Sequence, residues 1–580
     1  MARKSNVAPQ EITDWLGKIK YAEEARDEAD REFGYTRAHQ QYVNDYYSAI
    51  PSFVKDVKMV PINEVYAYAR TFIPSIYSRD PYITVNPRSA NGARAAKIRE
   101  LFVNAYWREL QLKREVRRII LDAVLAEGWI KLGYANSMGR LVAKDGETQL
   151  EPSEFIKNEE IFATRVSWKN MVRDPDATNG LHDARFVAQN IIRPLAAIKA
   201  SSLYEHTADL QPSFIKTGDK KSKLRGGSDV EYGSLWEVWD IDNAEVFTVS
   251  EGSTHFLMKK KWPYEIDGYP FSLLRFNDNP DKPYAPNLIG SWEPQLWEKM
   301  KIRAMELDHI KRFNRQMSIE EGSHSNAEIQ RMEEGRSGSI IRRKKGAKAP
   351  EPIPYPPIQA DIYGIEGRID LDKDNISGQP NAVRSAPQKT QSRTLGEIDR
   401  LIAAFGARQN EPQTLVEEFC EEVSYKLIGI AAQYLPGDKY VRATKKDMQA
   451  IGEAFLGDDG KARFDGRGFK FTKKDIQGTE FDVQIKSGST LPLNRENRTQ
   501  ILGDLLKLGP TLGIGPNSKL AKTVGKALLS ELDMPEIEAA FDEDLREMEN
   551  AKKMMQATQQ AELSQADMRL KHLQGQSNGM

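Results

Sequence analysis

Cysteine is almost absent from this chain of 580 residues: Cys420 is the only one. No intramolecular disulfide framework can staple the fold, and a reducing cytoplasm is the expected setting. No run of about 18 uncharged apolar residues occurs, and MARKSNVAPQEITDW has no apolar h-region of a signal peptide. The chain is therefore expected to be soluble, with no membrane partner. Excess charge of one sign is lacking as well. Lys plus Arg (83) and Asp plus Glu (84) nearly cancel, which excludes the overall cationic character of a general nucleic-acid coat and leaves any DNA contact to local patches.

The motifs that seat chemistry are missing too. The nearest phosphate-loop candidate, GIGPNSKLAKT (Gly513 to Thr523), lacks the Gly-Lys-Ser/Thr ending that aims backbone amides and a lysine at phosphates, and reads as a Gly/Pro turn before a helix. His39, His182, His206, His255, His309, His324 and His572 are scattered, with no HExxH and no cysteines at metal spacing. Asp240 with Asp242, and Asp458 with Asp459, read as turn or surface acids rather than a magnesium site. No G-x-S-x-G elbow occurs. Cys420, in EEFCEEVSYKLIGIA, reads as a buried helical thiol. The expectation is a protein that is not an enzyme, with no catalytic residues, no metal and no cofactor.

What is present, 39% hydrophobic and 29% charged residues, supports a sizeable core divided into three to five domains or subdomains. Trp15, Ile19, Ala22, Ala25 and Ala29 recur at helical spacing and predict a helix over 13–49, capped by Thr13 or Asp14. A second helix starts at about Asn63, is interrupted at Pro74, and leads to a strand from Tyr82 to Val85 fenced by Pro81 and Pro87; Tyr66, Phe72 and Tyr77 are then core or interface aromatics. Ile98, Leu101, Phe102, Ala105, Leu110, Val116, Ile119, Ile120, Ala123 and Val124 make one apolar stripe over 93–127, ended by Gly128. Between 129 and 290 the pattern changes to short strands with turn residues, an α+β region with an antiparallel sheet. Lys259, Lys260 and Lys261 are expected to cover a solvent-facing edge of it.

A long helix from Ser291 to Glu320 would span roughly 45 Å. Its charges surround the cylinder, so it is expected to face solvent widely or to lie beside copies of itself. SNAEIQRMEEG follows as a short helix, then a hairpin with its turn at Gly346 to Ala349. That hairpin carries the sharpest local charge run, Arg342, Arg343, Lys344, Lys345 and Lys348. Another helix over 359–374 precedes NISGQPNAVRSAPQKTQSRT, a segment with Arg384, Lys389 and Arg393 and no carboxylate. The longest helical stretch, Leu395 to Tyr434, has bend points at Gly406 and Pro412. Short strands follow Pro436. Met- and Gln-rich helical sequence, with Ile537, Phe541, Leu545, Met548 and Met555 as its apolar seam, suits partner helices near the C-terminus.

The order of these elements resembles the portal proteins (head-tail connectors) of tailed bacteriophages, most of all those of short-tailed phages. Three stretches carry the likeness: NEVYAYARTFIPSIYSRDPYITVNPR with GWIKLGY; VSWKNMVRDPDA through LWEVWDID and YPFSLLRFNDNP to the long helix; and the loop leading into RTLGEIDRLIAAFGARQ. The resemblance implies an α+β, multi-domain portal fold. Residues 1–128 would be the helical part of a wing, 129–290 its α+β part, 291–322 a first stem helix, and 323–358 a small α/β clip. Residues 359–374 would be a second stem helix, 375–394 a tunnel loop, 395–435 a long bent wing helix, 436–495 wing strands, and 496–580 a helical crown or barrel with a tail.

The resemblance further implies a structural protein of the virion, a homododecamer at one capsid vertex through which DNA is packaged and ejected. It would be assembled in the host cytoplasm. Its implied partners are eleven further copies of itself, double-stranded DNA bound without regard to sequence, the terminase large subunit, a head-completion or tail adaptor, and the major capsid or scaffolding protein. Arg384, Lys389 and Arg393 would face DNA in the tunnel. The run from Arg342 to Lys348 is open to three readings: contact with DNA leaving the ring, contact with an acidic face of terminase or adaptor, or a plain solvated hairpin. A minor capsid or scaffolding interaction protein, or a nucleic-acid enzyme of the packaging machinery, stands as the alternative.

Overall fold

In the computed structural model the described residues are 10–45, 62–89, 92–136, 159–201, 203–208, 210–216, 230–313, 317–334, 340–352, 360–378, 395–435, 439–442, 468–471, 476–477, 480–486, 490 and 524–525. The chain divides into two units, Met1–Leu491 and Pro492–Met580. The expected crown at 496–580 lies almost wholly outside the described residues, and the helices and strands with described bounds belong to the first unit.

Helix α1 (Gln10–Phe33) buries Trp15, Ile19, Ala22 and Ala29 of the expected stripe and Ile12 besides, while Ala25 is half-buried. It begins ahead of Thr13 and Asp14, so neither caps it. It stops at Gly34, whose φ of 71° is left-handed, and the chain re-enters helix as α2 (Tyr35–Tyr42). The single helix expected over 13–49 is thus two, because only a glycine takes that backbone cheaply. Helix α3 (Glu64–Ile76) starts as foreseen, with the Asn63 side chain accepting from the Tyr66 amide at 2.9 Å. Pro74 falls in its last turn and does not interrupt it, since so few residues remain that little helix is lost. Phe72 and Tyr77 are buried, whereas Tyr66 is 42% exposed and outside the core.

Strand β1 (Ile83–Pro87) is followed by α4 (Ala93–Glu109) and α5 (Leu112–Leu125). These replace the one helix expected over 93–127. The break is at Gln111, φ 52°, a left-handed non-glycine that no Gly or Pro announces and that costs roughly 1–2 kcal/mol. The stripe survives: Ile98 and Phe102, then Val116, Ile119, Ile120, Ala123 and Val124 are all buried. Gly128 opens the next strand rather than closing a helix.

The strand-rich region begins with β2 (Gly128–Asn136), β3 (Glu159–Val166), β4 (Met171–Arg173) and β5 (Phe186–Pro194). After the short α6 (Leu195–Ala200) come β6 (Phe214–Lys216), β7 (Val230–Asp240), β8 (Glu245–Val249), β9 (Met258–Lys261) and β10 (Phe271–Leu274). One sheet has six strands in the order β4-β5-β7-β8-β9, with β6 also on β7; another has three, β10-β2-β3. Every pairing in both is antiparallel.

Alternation along β7 sends Trp236 and Val238 to one face and Trp239 to the other. The first face packs on Ile12, Trp15, Ile19 and Ala22 of α1. The second joins Trp129 and Phe271 of the three-stranded sheet. Strand β9 is an edge, and Lys259 pairs there with Glu11 at 2.9 Å and Glu245 at 3.1 Å. The lysine-covered edge is the one read from the sequence.

Further along, the described elements are α7 (Glu293–Phe313), β11 (Met317–Ser318), α8 (Asn326–Glu334), β12 (Glu351–Pro352), α9 (Ala360–Ser377) and α10 (Leu395–Tyr434). Strands β13 (Lys439–Arg442), β14 (Gly468–Phe471) and β15 (Phe481–Ile485) follow. Helix α10 has the expected bounds, with Pro412 inside it. Its second half threads the main core: Val416, Phe419, Cys420, Val423, Leu427, Ile428 and Ala431 share a cluster with side chains of α3, α4 and α5. The Cys420 thiol is fully buried there, and burial raises its pKa. Strand β15 returns to pair with β1, Ile83 opposite Ile485 and Val85 opposite Val483, closing the unit across most of the chain. The fold is mixed α and β, as expected of an α+β chain.

Candidate functional site: a helix pair joined by a basic turn

Helix α7 has 21 residues, about 32 Å at 1.5 Å each, shorter than the 45 Å expected because helix ends at Phe313 and Met317–Ser318 forms a strand. The expectation of charge all round the cylinder also needs correction. Trp292, Leu296, Met300 and Ala304 recur every four residues and are buried, the first three in the main core. Beyond them the helix leaves the core: Met305 is 63% exposed and Ile310 49%.

The start of α7 is clamped by charge. Buried Glu293 accepts from Arg37 Nε at 2.6 Å, Arg37 Nη2 at 2.7 Å, Gln41 Nε2 at 2.8 Å and Trp297 Nε1 at 3.3 Å. A carboxylate in the first turn also suits the positive end of the helix.

Helix α9 runs back beside α7. Lys299, early in α7, meets Asp370 and Lys373, late in α9, so the two are antiparallel. Lys299 Nζ lies 2.6 Å from Asp370 Oδ1 and 3.2 Å from Glu64 Oε1 of α3. Lys373 Nζ is 3.0 Å from the same Asp370 oxygen and pairs closely with Glu64 Oε2. Two cations and two carboxylates thus balance in a place where the Lys373 side chain is 3% exposed. Burial works against the Asp370 charge, but hydrogen bonds from both lysines outweigh it and hold its pKa below 3.8. For Lys299, burial is likewise outweighed by Asp370 and Glu64, and its pKa rises. Only the Asp370/Lys373 spacing of three was visible in the sequence; Glu64 and Lys299 are remote and gave no signal.

Between the helices the basic segment is not the local hairpin expected. Residues 340–350 contain no strand; instead Met317 and Ser318 pair with Pro352 and Glu351, a ladder that encloses α8 and the basic turn together. A local hairpin would have needed paired strands on either side of Gly346. The chain gains its backbone partners elsewhere: the Lys344 amide donates to Ser323 O at 3.0 Å and the Lys348 amide to Glu320 Oε2 at 3.3 Å. Gly346, φ 91°, makes the turn. Arg342, Arg343, Lys344, Lys345 and Lys348 are all exposed, and none uses its side chain in an ion pair or hydrogen bond with a described residue. Ile340, just before them, is 78% exposed.

Arg384, Lys389 and Arg393 lie outside the described residues, as does most of the expected tunnel loop; α9 runs on to Ser377, three residues past the expected end. Among the described residues no group of three or more His, Cys, Asp or Glu side chains could hold a metal ion. No described helix is long and apolar enough to cross a membrane. No protein-family model matches the chain, and no curated protein is significantly similar to it.

Proposed function

We propose that this chain is a portal-type ring subunit of a tailed-phage virion. Twelve copies would form the channel at one capsid vertex through which double-stranded DNA is packaged and ejected. On this reading α7 and α9 are the stem, residues 323–358 the clip, and the role is structural rather than catalytic.

The observation that supports it best is the distribution of exposed apolar side chains on the helix pair. Met305 and Ile310 are five residues apart, and so are Leu371 and Ile376, which puts the members of each pair about 140° apart around a helix. One binding face would cluster them on one side. Apolar groups on two flanks suit a subunit held between two neighbours, as head-to-tail contacts closing into a ring require.

The basic turn would then sit where a motor or adaptor docks. Exposed Ile340 beside five cations that no described residue pairs favours a partner face that is both acidic and apolar, such as the terminase large subunit or a head-completion protein, over a purely solvated loop. Arg384, Lys389 and Arg393 would meet DNA phosphates from the tunnel loop.

Negative-stain electron microscopy of the purified full chain tests the reading. Closed rings with a central channel are the expected result. Monomers or open filaments under all assembly conditions would overturn it.

A further inference from the structure

Away from the stem and clip, a strongly basic cleft of about 630 Å³ opens where α4 turns into α5, walled on the other side by α3 and the end of α2. Arg70, Arg108, Lys113, Arg114, Arg117 and Arg118 line it, against one carboxylate, Asp80. Its floor is apolar, with Ile73, Pro74 and Leu121 half-buried.

Much of this charge finds no partner among the described residues. Arg70 donates to the Tyr66 hydroxyl at 3.0 Å, and Arg118 pairs with Glu115 at 3.2 Å. Arg108, Lys113, Arg114 and Arg117 make no ion pair or side-chain hydrogen bond with a described residue. Lys113 and Arg114 also stand in the first turn of α5, at the positive end of its dipole, where a cation is disfavoured. Glu115, the one acid of that turn, is engaged by Arg118 and by the Arg165 amide. A bound anion would relieve an arrangement that is otherwise self-repelling.

Shape decides the kind of anion. The volume falls within the roughly 300–1,000 Å³ of sites that hold a compact ligand or a few side chains, so a DNA duplex cannot enter. An apolar floor offers nothing to a phosphodiester backbone, but it suits aliphatic side chains. Guanidinium forks on the rim match carboxylates in bidentate pairs.

We propose that this cleft docks an acidic amphipathic helix of a partner protein. Its apolar side chains enter over Ile73, Pro74 and Leu121 while its carboxylates pair with Arg108, Arg114 and Arg117. The inference stands independently of the ring reading.

Fluorescence anisotropy on the full chain tests it with three labelled probes: a helical peptide with leucine on one face and glutamate on the other, polyglutamate of equal length, and a short DNA duplex. The amphipathic peptide should bind at least about tenfold more tightly than polyglutamate. R114E/R117E, which changes exposed side chains, should weaken it at least about tenfold while leaving thermal melting unchanged. Should that variant fail to fold, Arg117→Gln alone is expected to show a smaller loss in the same direction. Equal binding of the two peptides, or peptide affinity unchanged in a folded variant, would overturn the proposal. So would duplex binding tighter than peptide binding and lost in the same variant, which would make the cleft a phosphate site.

Discussion

Arg173 and Glu127 share two parallel hydrogen bonds, Nη1 to Oε2 at 2.8 Å and Nη2 to Oε1 at 2.7 Å, where their side chains keep 1% and 4% of their exposure. The guanidinium also donates to Pro283 O and lies 4.1 Å from the Tyr284 ring centroid. The pair therefore ties β4 and the start of β2 to the segment that feeds α7. Burial opposes the Arg173 charge, and Glu127 more than compensates, raising its pKa. Glu127→Ala strands a buried cation and is expected to cost about 3–5 kcal/mol, whereas replacing both residues, R173M with E127L, should cost much less. Thermal melting of the two variants checks this; equal losses would mean the pair contributes by packing alone.

The four-charge cluster where α7, α9 and α3 meet predicts an acid-dependent stability. Asp370 has a folded-state pKa below its ordinary 3.8, so between the two values the unfolded chain binds more protons and stability rises with pH. Its contribution is complete above about pH 4 and is lost as pH falls below that toward the native value. Asp370→Asn should flatten the acid limb of a melting-temperature profile below about pH 4. An unchanged acid limb would remove Asp370 from the account.

Gly128 packs so tightly that a Cβ would collide with the Ile119 carbonyl oxygen and side chain. Gly128→Ala is expected to cost about 1–3 kcal/mol through overpacking where β2 meets α5. Chemical denaturation gives the number, and a neutral result would show that the contact yields.

The exposed apolar side chains of α7 and α9 can be tested apart from folding. Leu371→Asp and Met305→Asp alter side chains that are 57% and 63% exposed, so each should leave stability within about 0.5 kcal/mol of the parent. Light scattering after size exclusion should nevertheless show loss of the oligomer. Intact assembly in both variants would place the subunit contacts elsewhere.

For the basic turn, R343A/K344A/K345A should leave ring formation intact. If the turn meets DNA, the slope of log affinity against log salt falls by about 0.9 for each phosphate contact removed; if it meets an acidic protein face, adaptor or terminase binding weakens and DNA retention does not. R384A/K389A/R393A is expected to alter DNA retention or packaging with assembly preserved, and loss of rings there would make the loop structural.

Local pattern alone determined much of this protein: most of the stripes of α1, α4 and α5, the start of α3 near Asn63, the bounds of α10, the lysine-covered edge at Lys259, and the basic run from Arg342 to Lys348. Each rests on spacing or turn chemistry within a few residues, which periodicity reports directly. Tertiary structure alone decided the rest. Gln111 bends where no Gly or Pro marks a break, and Met317–Ser318 pairs with Glu351–Pro352 in place of a local hairpin. Glu64 meets Lys299 and Lys373, which both hold Asp370, and Arg70 joins the arginines of α5 around one cleft. Those relationships depend on which distant surfaces the core brings together, and the energy that selects them is burial summed over the whole unit, which no window of sequence contains.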